Sequence, residues 1–309
     1  MKNPLHNLSV NMRSFVYVLM AFAMYSVADA CLNNALDIYF FAEVVLYPII
    51  VFGFIILIMH KKFGGMKSFI TTPNKKWLIL RAIAGTCVYL CVIFSFKYLT
   101  MAEAYTIFLT APFWVSLLAF FWLKEKVGPH RWISISIVFI GVLFVMIPGM
   151  ALSEHKLVYI LPVIAAVSFA FFNNCTKYIG EKESLFNLVM YPILVEIIVL
   201  VPLILWNISY GDGYTTPAPR YIFAFIIAGI LFLTATCLST LGFQKGEPSM
   251  LAPLHYTQII WGMILGALFL GETPSLWTII GAGIIIGSGI YLLYRENKAA
   301  KRKHAITAE

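Results

Sequence analysis

Charge is scarce in this chain. Only 12% of its 309 residues are Asp, Glu, Lys or Arg, while 61% are hydrophobic. A soluble domain carries about a quarter charged residues, so the composition excludes a water-soluble globular protein and indicates a polytopic membrane protein. Cysteine is scarce too. Cys31, Cys87, Cys91, Cys175 and Cys237 all fall inside or at the edge of apolar runs, and none belongs to a C-x-x-C pair. Neither disulfides nor a metal site are expected, and Cys87 and Cys91, which share a helical face, are read as core packing. No Walker A glycine loop, soluble ATPase domain or H-E-x-x-H stands in the chain, and His6, His60, His130, His155, His255 and His304 are scattered. An ATP-driven pump and an intramembrane enzyme therefore lack their usual residues. No cofactor is called for, and no extramembrane segment is long enough for a sensor's output domain.

What the chain has is apolar runs. Ten segments of roughly spanning length are expected, near 14–33, 38–59, 77–97, 103–123, 131–147, 157–179, 185–206, 221–241, 251–270 and 275–294. The fifth is expected to stop at Pro148-Gly149. The net charge of +8 sorts by side, so no nucleic-acid partner is implied. With the N-terminus inside, seventeen Lys and Arg fall in cytoplasmic segments and three, Lys97, Lys156 and Arg220, on the other side. That asymmetry places both termini in the cytoplasm, for a multi-pass protein of a bacterial inner membrane. The tail "KAAKRKH" is a basic juxtamembrane run suited to anionic lipid.

The segment "FWVSLLAFFWLKEKVGPHRW" (113–132) returns as "IIWGMILGALFLGETPSLWT" (259–278), Glu125 matching Glu272 at an offset of 147. In the second copy Lys124, Lys126 and Arg131 become Gly271, Thr273 and Thr278. Loss of positive charge is what two similar helix ends on opposite sides of a membrane should show. "AFAMYSVADAC" (21–31) matches "SFAFFNNCTKY" (168–178) in the same register, so residues 13–30 are read as a first helix rather than a removable leader. "LYPII" (46–50) matches "MYPIL" (190–194) at an offset of 144. The expected fold is all-α, with ten transmembrane helices in two inverted five-helix repeats, 14–147 and 157–294, followed by a basic cytoplasmic tail, 295–309. Many secondary transporters are built from such repeats.

The stretch "LILRAIAGTCVYLCVIFSFKYLTMAEAYTIFLTAPFWVSLLAFFWLKEKV" (78–127) resembles the first repeat of the drug/metabolite transporter superfamily, EamA branch. Arg81, the "KYLTMAEA" junction, Pro112 and Glu125 carry the resemblance. "GEPSMLAPLHYTQIIWGMILGALFLGE" (246–272) resembles the second-repeat counterpart, and "TKYIGEKESLFNLVMYPIL" (176–194) is similar to S-adenosylmethionine uptake transporters of intracellular bacteria. The resemblance implies a ten-helix bundle moving a small organic metabolite by alternating access. Many members carry an Arg in the second helix where Tyr47-Pro48 stands here, so no anion contact carries over to that place.

Ionisable groups inside a bilayer cost roughly 2.5–3.5 kcal/mol on insertion scales, so each asks for an explanation. Glu196, the deepest acid, is either a protonatable coupling or substrate group or the partner of a neighbouring helix. Glu43 and Glu103 lie near helix ends, where snorkelling is the alternative to a site. Glu103, Thr106, Thr110 and Trp114 share a helix face, a polar stripe with an aromatic wall. The aligned helix offers His255, Gln258 and Gly262, His255 being either a titrating group or a structural hydrogen-bonder. Tyr25 and Asp29 are four apart, as are Asn173 and Lys177; Asp29 and Lys177 are read as gate charges on opposite mouths or as interface anchors. Arg81 is expected to snorkel to the cytoplasmic face, and Glu125 and Glu272 to fix loop geometry. "GMILG" (262–266) and "GIIIG" (283–287) are close-packing spacings, for use within the chain or at a homodimer face.

These residues point to a secondary transporter with a small-molecule substrate and a lipid environment, in which carboxylates exchange protons for substrate or substrate exchanges alone. Acids beside Trp114, Tyr105, Tyr25 and Trp261 favour a cationic or zwitterionic compound with a ring portion, such as an amino acid or S-adenosylmethionine. A drug or amine exporter and a lipid-like substrate are the alternatives. Neutralising Glu196 or Glu103 is expected to impair transport.

Overall fold

The computed structural model describes residues 10–62, 64–125, 128–152, 154–181, 183–211, 213–288 and 291; the tail 295–309 lies outside them. Among these residues helices run in order as α1 (Val10–Asn33), α2 (Phe41–Ile58), α3 (Gly65–Thr71), α4 (Lys75–Ser95), α5 (Met101–Phe108), α6 (Ala111–Trp122), α7 (Pro129–Leu152), α8 (Leu161–Ile179), α9 (Leu185–Tyr210), α10 (Pro219–Lys245), α11 (Pro248–Leu251) and α12 (Thr257–Leu270). A last apolar helix, α13, covers Leu276–Ser288. Among the described residues eight spans are long and apolar enough to cross a membrane, with two shorter apolar helices at Trp132–Pro148 and Leu276–Ser288. The eight lie where spans were expected, the two shorter helices fall at the fifth and tenth expected places, and the chain is a multi-pass membrane protein. One expectation fails: α7 runs through Pro148 to Leu152 instead of stopping there.

Two spans are broken, and the sequence says why. Between α5 and α6 the ladder lapses at Leu109–Thr110, because Pro112 has no N–H to give the Phe108 carbonyl. The counterpart after α11 is a 3-10 segment, Ala252–Tyr256, holding Pro253. Irregular backbone survives at membrane depth only where protein buries it or a cavity borders it, and both breaks are buried.

Helix contacts recur between the halves. Helix α1 packs on α10 and α12, as α8 packs on α4 and α6; α2 packs on α10, as α9 packs on α4. The α7–α13 contact is reciprocal. Ser134 and Ser288 each donate through Oγ to the other's carbonyl, at 2.9 and 2.8 Å. Further along, Gly141 and Gly281 let the two backbones touch, since a Cβ on Gly281 would lie 2.6 Å from the Gly141 carbonyl oxygen. Pairing 134 with 288 and 141 with 281 makes the helices antiparallel. Gly281→Ala is expected to lower stability by about 1–3 kcal/mol through overpacking, read as the thermal midpoint in detergent. Gly287→Ala, whose Cβ meets nothing within 4 Å, serves as the unaffected control.

The two "LxE" helix ends close identically. Lys124 and Gly271 both take positive φ, 56° and 65°, and the next N–H, of Glu125 and Glu272, reaches back six residues to the carbonyls of Ala119 and Gly266 at 3.1 and 3.0 Å. In each, the residue at positive φ ends the helix by turning the following N–H back over its last turn. The Glu272 carboxylate then accepts the Met101 N–H at 3.0 and 3.2 Å, satisfying the first turn of α5. Burial raises its pKa, the Met101 N–H opposing and nearby Glu103 adding. The acid thus contacts loop and helix end, as the sequence leads one to expect. Glu125 Oε2 is buried without a partner.

Candidate functional site

A cavity of about 150 Å³ lies among α1, α2, α4, α5, α8, α9, α10 and the 3-10 segment before α12. Both broken spans supply it, through Tyr105 and Phe108 from one and His255 and Gln258 from the other. Nine of its 23 lining residues are Phe or Tyr, two are acids (Asp29 and Glu196), and none is Lys or Arg.

Residues at the 147 offset meet at its wall. Phe22 and Phe169 are one such pair, with ring centroids 6.2 Å apart, and Phe108 and His255 are another, at 4.6 Å. The His255 ring stacks on Phe169 at 4.7 Å and 4°, and touches Phe22 at 4.7 Å. Three phenyl rings thus enclose one imidazole, and neither imidazole nitrogen has a hydrogen-bond partner among the described residues. The hydroxyls of Tyr89 and Tyr256 and the Gln258 Oε1 are buried and unpartnered as well. Buried polar groups are paired in the great majority of cases, so these open groups stand out; Tyr89, His255 and Gln258 among them line the cavity.

The two acids differ. Asp29 Oδ2 accepts the Tyr105 hydroxyl at 2.5 Å, and Tyr105 is wedged against Gly262, where a Cβ would reach 2.5 Å from the ring. Tyr25, one turn before Asp29, donates to Thr236 Oγ1 at 3.0 Å, tying α1 to α10. Glu196 is nine-tenths buried and its carboxylate has no hydrogen bond among the described residues.

Of the residues singled out in the sequence, the structure brings Tyr25, Asp29, Tyr105, Glu196, His255 and Gln258 around this cavity. The others stand elsewhere. Glu103 closes a capping box with Thr100: its carboxylate accepts Thr100 N–H and Oγ–H, both at 3.1 Å, and Thr100 Oγ1 accepts the Glu103 N–H. Glutamine also serves in this box. Glu103→Gln is therefore expected to leave the thermal midpoint nearly unchanged, while Thr100→Ala loses about 1 kcal/mol. The stripe Thr106, Thr110, Trp114 does not reach the cavity. Thr106 bonds the Ala102 carbonyl, and Thr110 Oγ1 and Trp114 Nε1 are buried without partners. Asn173 donates to the Phe169 carbonyl of its own helix. Asp29 lines the cavity instead of guarding a mouth, and Lys177 caps α10 through the Lys245 carbonyl at 3.2 Å.

Two snorkelling assignments are corrected. Glu43 is 2% exposed with Oε1 unpartnered. Arg81 is fully buried, because α8, α9 and α10 close over it. Its Nε donates to Thr176 Oγ1 at 2.7 Å, Nη1 to the Leu188 carbonyl at 2.5 Å and Nη2 to Thr240 Oγ1 at 3.3 Å. Among the lining residues that the sequence did not single out are Phe22, Tyr89, Phe108, Phe169 and Phe172; the 147 register was the available signal, pairing Phe22 with Phe169 and Phe108 with His255.

The model of the EamA-like transporter family matches this chain twice, at residues 12–147 and 156–295. Similar proteins include one of Rickettsia conorii named S-adenosylmethionine uptake transporter, 25% identical over 86% of this chain and 84% of the relative. A riboflavin transporter of Vibrio cholerae is 23% identical over 82% of this chain and 83% of its own length. The pseudopaline exporter of Pseudomonas aeruginosa is 23% identical, covering 87% and 91% respectively. A crystal structure sharing 16% identity superposes with a TM-score of 0.68 over 92% of this chain and 98% of the other, which shows a common fold. With one family model matching both halves over most of the sequence, the chain belongs to the EamA-like transporter family.

Proposed function

We propose that this protein is a secondary transporter carrying a cationic or zwitterionic, ring-bearing metabolite across the bacterial inner membrane by alternating access. The cavity carries the reading: two carboxylates, an aromatic wall, unpartnered polar atoms and no lysine or arginine line a space in the middle of a membrane bundle. A cation there pairs with Glu196 and packs on ring faces, while His255 and Gln258 offer neutral hydrogen bonds to a heteroatom. A carboxylate without a partner also suits proton exchange against the substrate. Glu196 is the coupling candidate; Asp29, Tyr105, Tyr25, His255 and Gln258 shape the pocket.

Ten helical segments in two inverted repeats, 14–147 and 157–294, with both termini cytoplasmic, complete the reading. The antiparallel Ser134–Ser288 and Gly141–Gly281 contacts support it, since a two-fold axis exchanges each with the other. The meeting of Phe22 with Phe169 and of Phe108 with His255 supports it too, because an axis through the cavity brings such mates together. Relatives named for uptake and for export accord with a fold whose direction is set by gradients.

The test is uptake into proteoliposomes of radiolabelled S-adenosylmethionine, tryptophan, arginine and a quaternary amine, with and without a proton gradient. Saturable uptake of one class supports the reading, and dependence on the gradient assigns proton coupling. No uptake of any member by folded protein overturns it.

A further inference from the structure

We infer that Arg81 is a carboxylate receptor on the substrate's path out of the cavity, toward the end of the bundle that carries Lys75 and Lys245, with the Phe172 ring as the shutter covering it. This rests on the transport reading and narrows the substrate class to zwitterions: a cationic group for Glu196 and a carboxylate for Arg81.

A guanidinium has five N–H donors. Arg81 directs three bonds at Thr176, Leu188 and Thr240, all neutral acceptors, which leaves two donors over. No carboxylate lies within ion-pair distance of it among the described residues, although it is 0% exposed. A charge removed from water is costly unless it is paired, and every buried acid in the cavity lies elsewhere. A purely structural role would be met more cheaply by a neutral side chain of the same length.

Its position is informative. Each acceptor neighbours a lining residue: Thr176 lies one turn beyond Phe172, Leu188 precedes Val189 and Thr240 follows Ser239. The guanidinium carbon sits 3.8 Å from the centroid of the Phe172 ring, and Phe172 itself lines the cavity. One ring therefore separates the charge from the space where substrate binds. Gly85, one turn past Arg81 on α4, makes room for that ring, since a Cβ there would come within 2.9 Å of it. Rotation of the Phe172 side chain uncovers the guanidinium without moving a helix. The two spare donors then suit bidentate pairing with a carboxylate.

The test is modification of Arg81 by phenylglyoxal in the detergent-solubilised protein, followed on its own peptide by mass spectrometry. Phe172→Ala is expected to speed modification by about tenfold, because it removes the ring that lies on the guanidinium. Tryptophan should protect the uncovered arginine and tryptamine should not. Where Phe172→Ala does not fold, Phe172→Leu takes its place. Unchanged reactivity, protection by neither compound, or equal protection by both overturns the receptor. In uptake, Arg81→Gln should erase a preference for tryptophan over tryptamine; equal uptake of the two by the wild type overturns the receptor and leaves transport standing. Failure of every compound in uptake, with tryptophan still protecting Arg81, would count against transport alone.

Discussion

Glu196→Gln is expected to weaken binding of a cationic substrate by roughly thirtyfold, the equivalent of about 2 kcal/mol for a hydrogen bond to a charged partner in a desolvated site. The side chain keeps its length and shape, so the aromatic wall and the insertion of α9 should be untouched. Two features select Glu196 over the other acids. It lines the cavity, and no protein donor holds its carboxylate, so a ligand cation meets no competitor. Asp29 is already engaged by Tyr105 at 2.5 Å, and Asp29→Asn should cost less. Glu103, committed to the Thr100 capping box, should tolerate Gln in transport as in stability. The measurement is saturation binding or uptake with the substrate found in the panel, beside a thermal midpoint. An unchanged apparent affinity in Glu196→Gln would remove this carboxylate from the site. If Glu196 also carries the coupling proton, its glutamine variant should lose gradient dependence while retaining downhill exchange.

The contrast between Glu196 and Glu103 shows what the sequence could say. Depth was legible: Glu196 stands mid-way along an apolar run, and the structure places it on the cavity wall. Glu103 sits at a helix start, and T-x-x-E at Thr100–Glu103 is the pattern of a capping box. The pattern was present, but the helical stripe it began drew the functional reading. Helix ends were legible as well, because a terminating turn depends on a few adjacent residues; Lys124-Glu125 and Gly271-Glu272 form the same one in both places. Arg81 was not legible. Its position along α4 is that of an interface residue, and only the packing of α8, α9 and α10, from more than ninety residues away, buries it. The same distance hides the cavity wall: Phe22 and Phe169 are ordinary apolar residues until the fold sets their rings against His255. Glycine use divides similarly. Gly262 of "GMILG" admits Tyr105, whereas Gly283 and Gly287 of "GIIIG" meet nothing within 4 Å among the described residues.

Glu183→Ala is the second variant expected to have a large effect, and on stability instead of binding. Glu183 lies in the short link between α8 and α9, where a carboxylate is ordinarily solvated, yet it is 7% exposed. Its Oε2 accepts from Thr72 Oγ1 at 2.7 Å and Asn74 Nδ2 at 3.0 Å. Its Oε1 accepts from Asn187 Nδ2 at 2.5 Å and from the Ser184 N–H at 3.3 Å. Gln244 holds the same link from α10, donating to the carbonyls of Gly180 and Glu183. Helix α3, only seven residues long, has little stability of its own; Ser68 adds further ties, to the Ser184 hydroxyl and to the Asn187 amide, which it meets through both its hydroxyl and its carbonyl. Truncating the acid strands four donors, at a cost of about 3 kcal/mol when buried groups lose their acceptor. The loss should concentrate in residues 65–74, whose amides are expected to exchange with solvent faster than those of α4 or α8. Unchanged exchange in that segment would mean that α3 is held by something other than Glu183. These bonds join a first-half connection to a second-half one at the Arg81 end of the bundle, so any opening of that end must break them. On the alternating access proposed above, the energy that fixes α3 here would add to the barrier for opening that end.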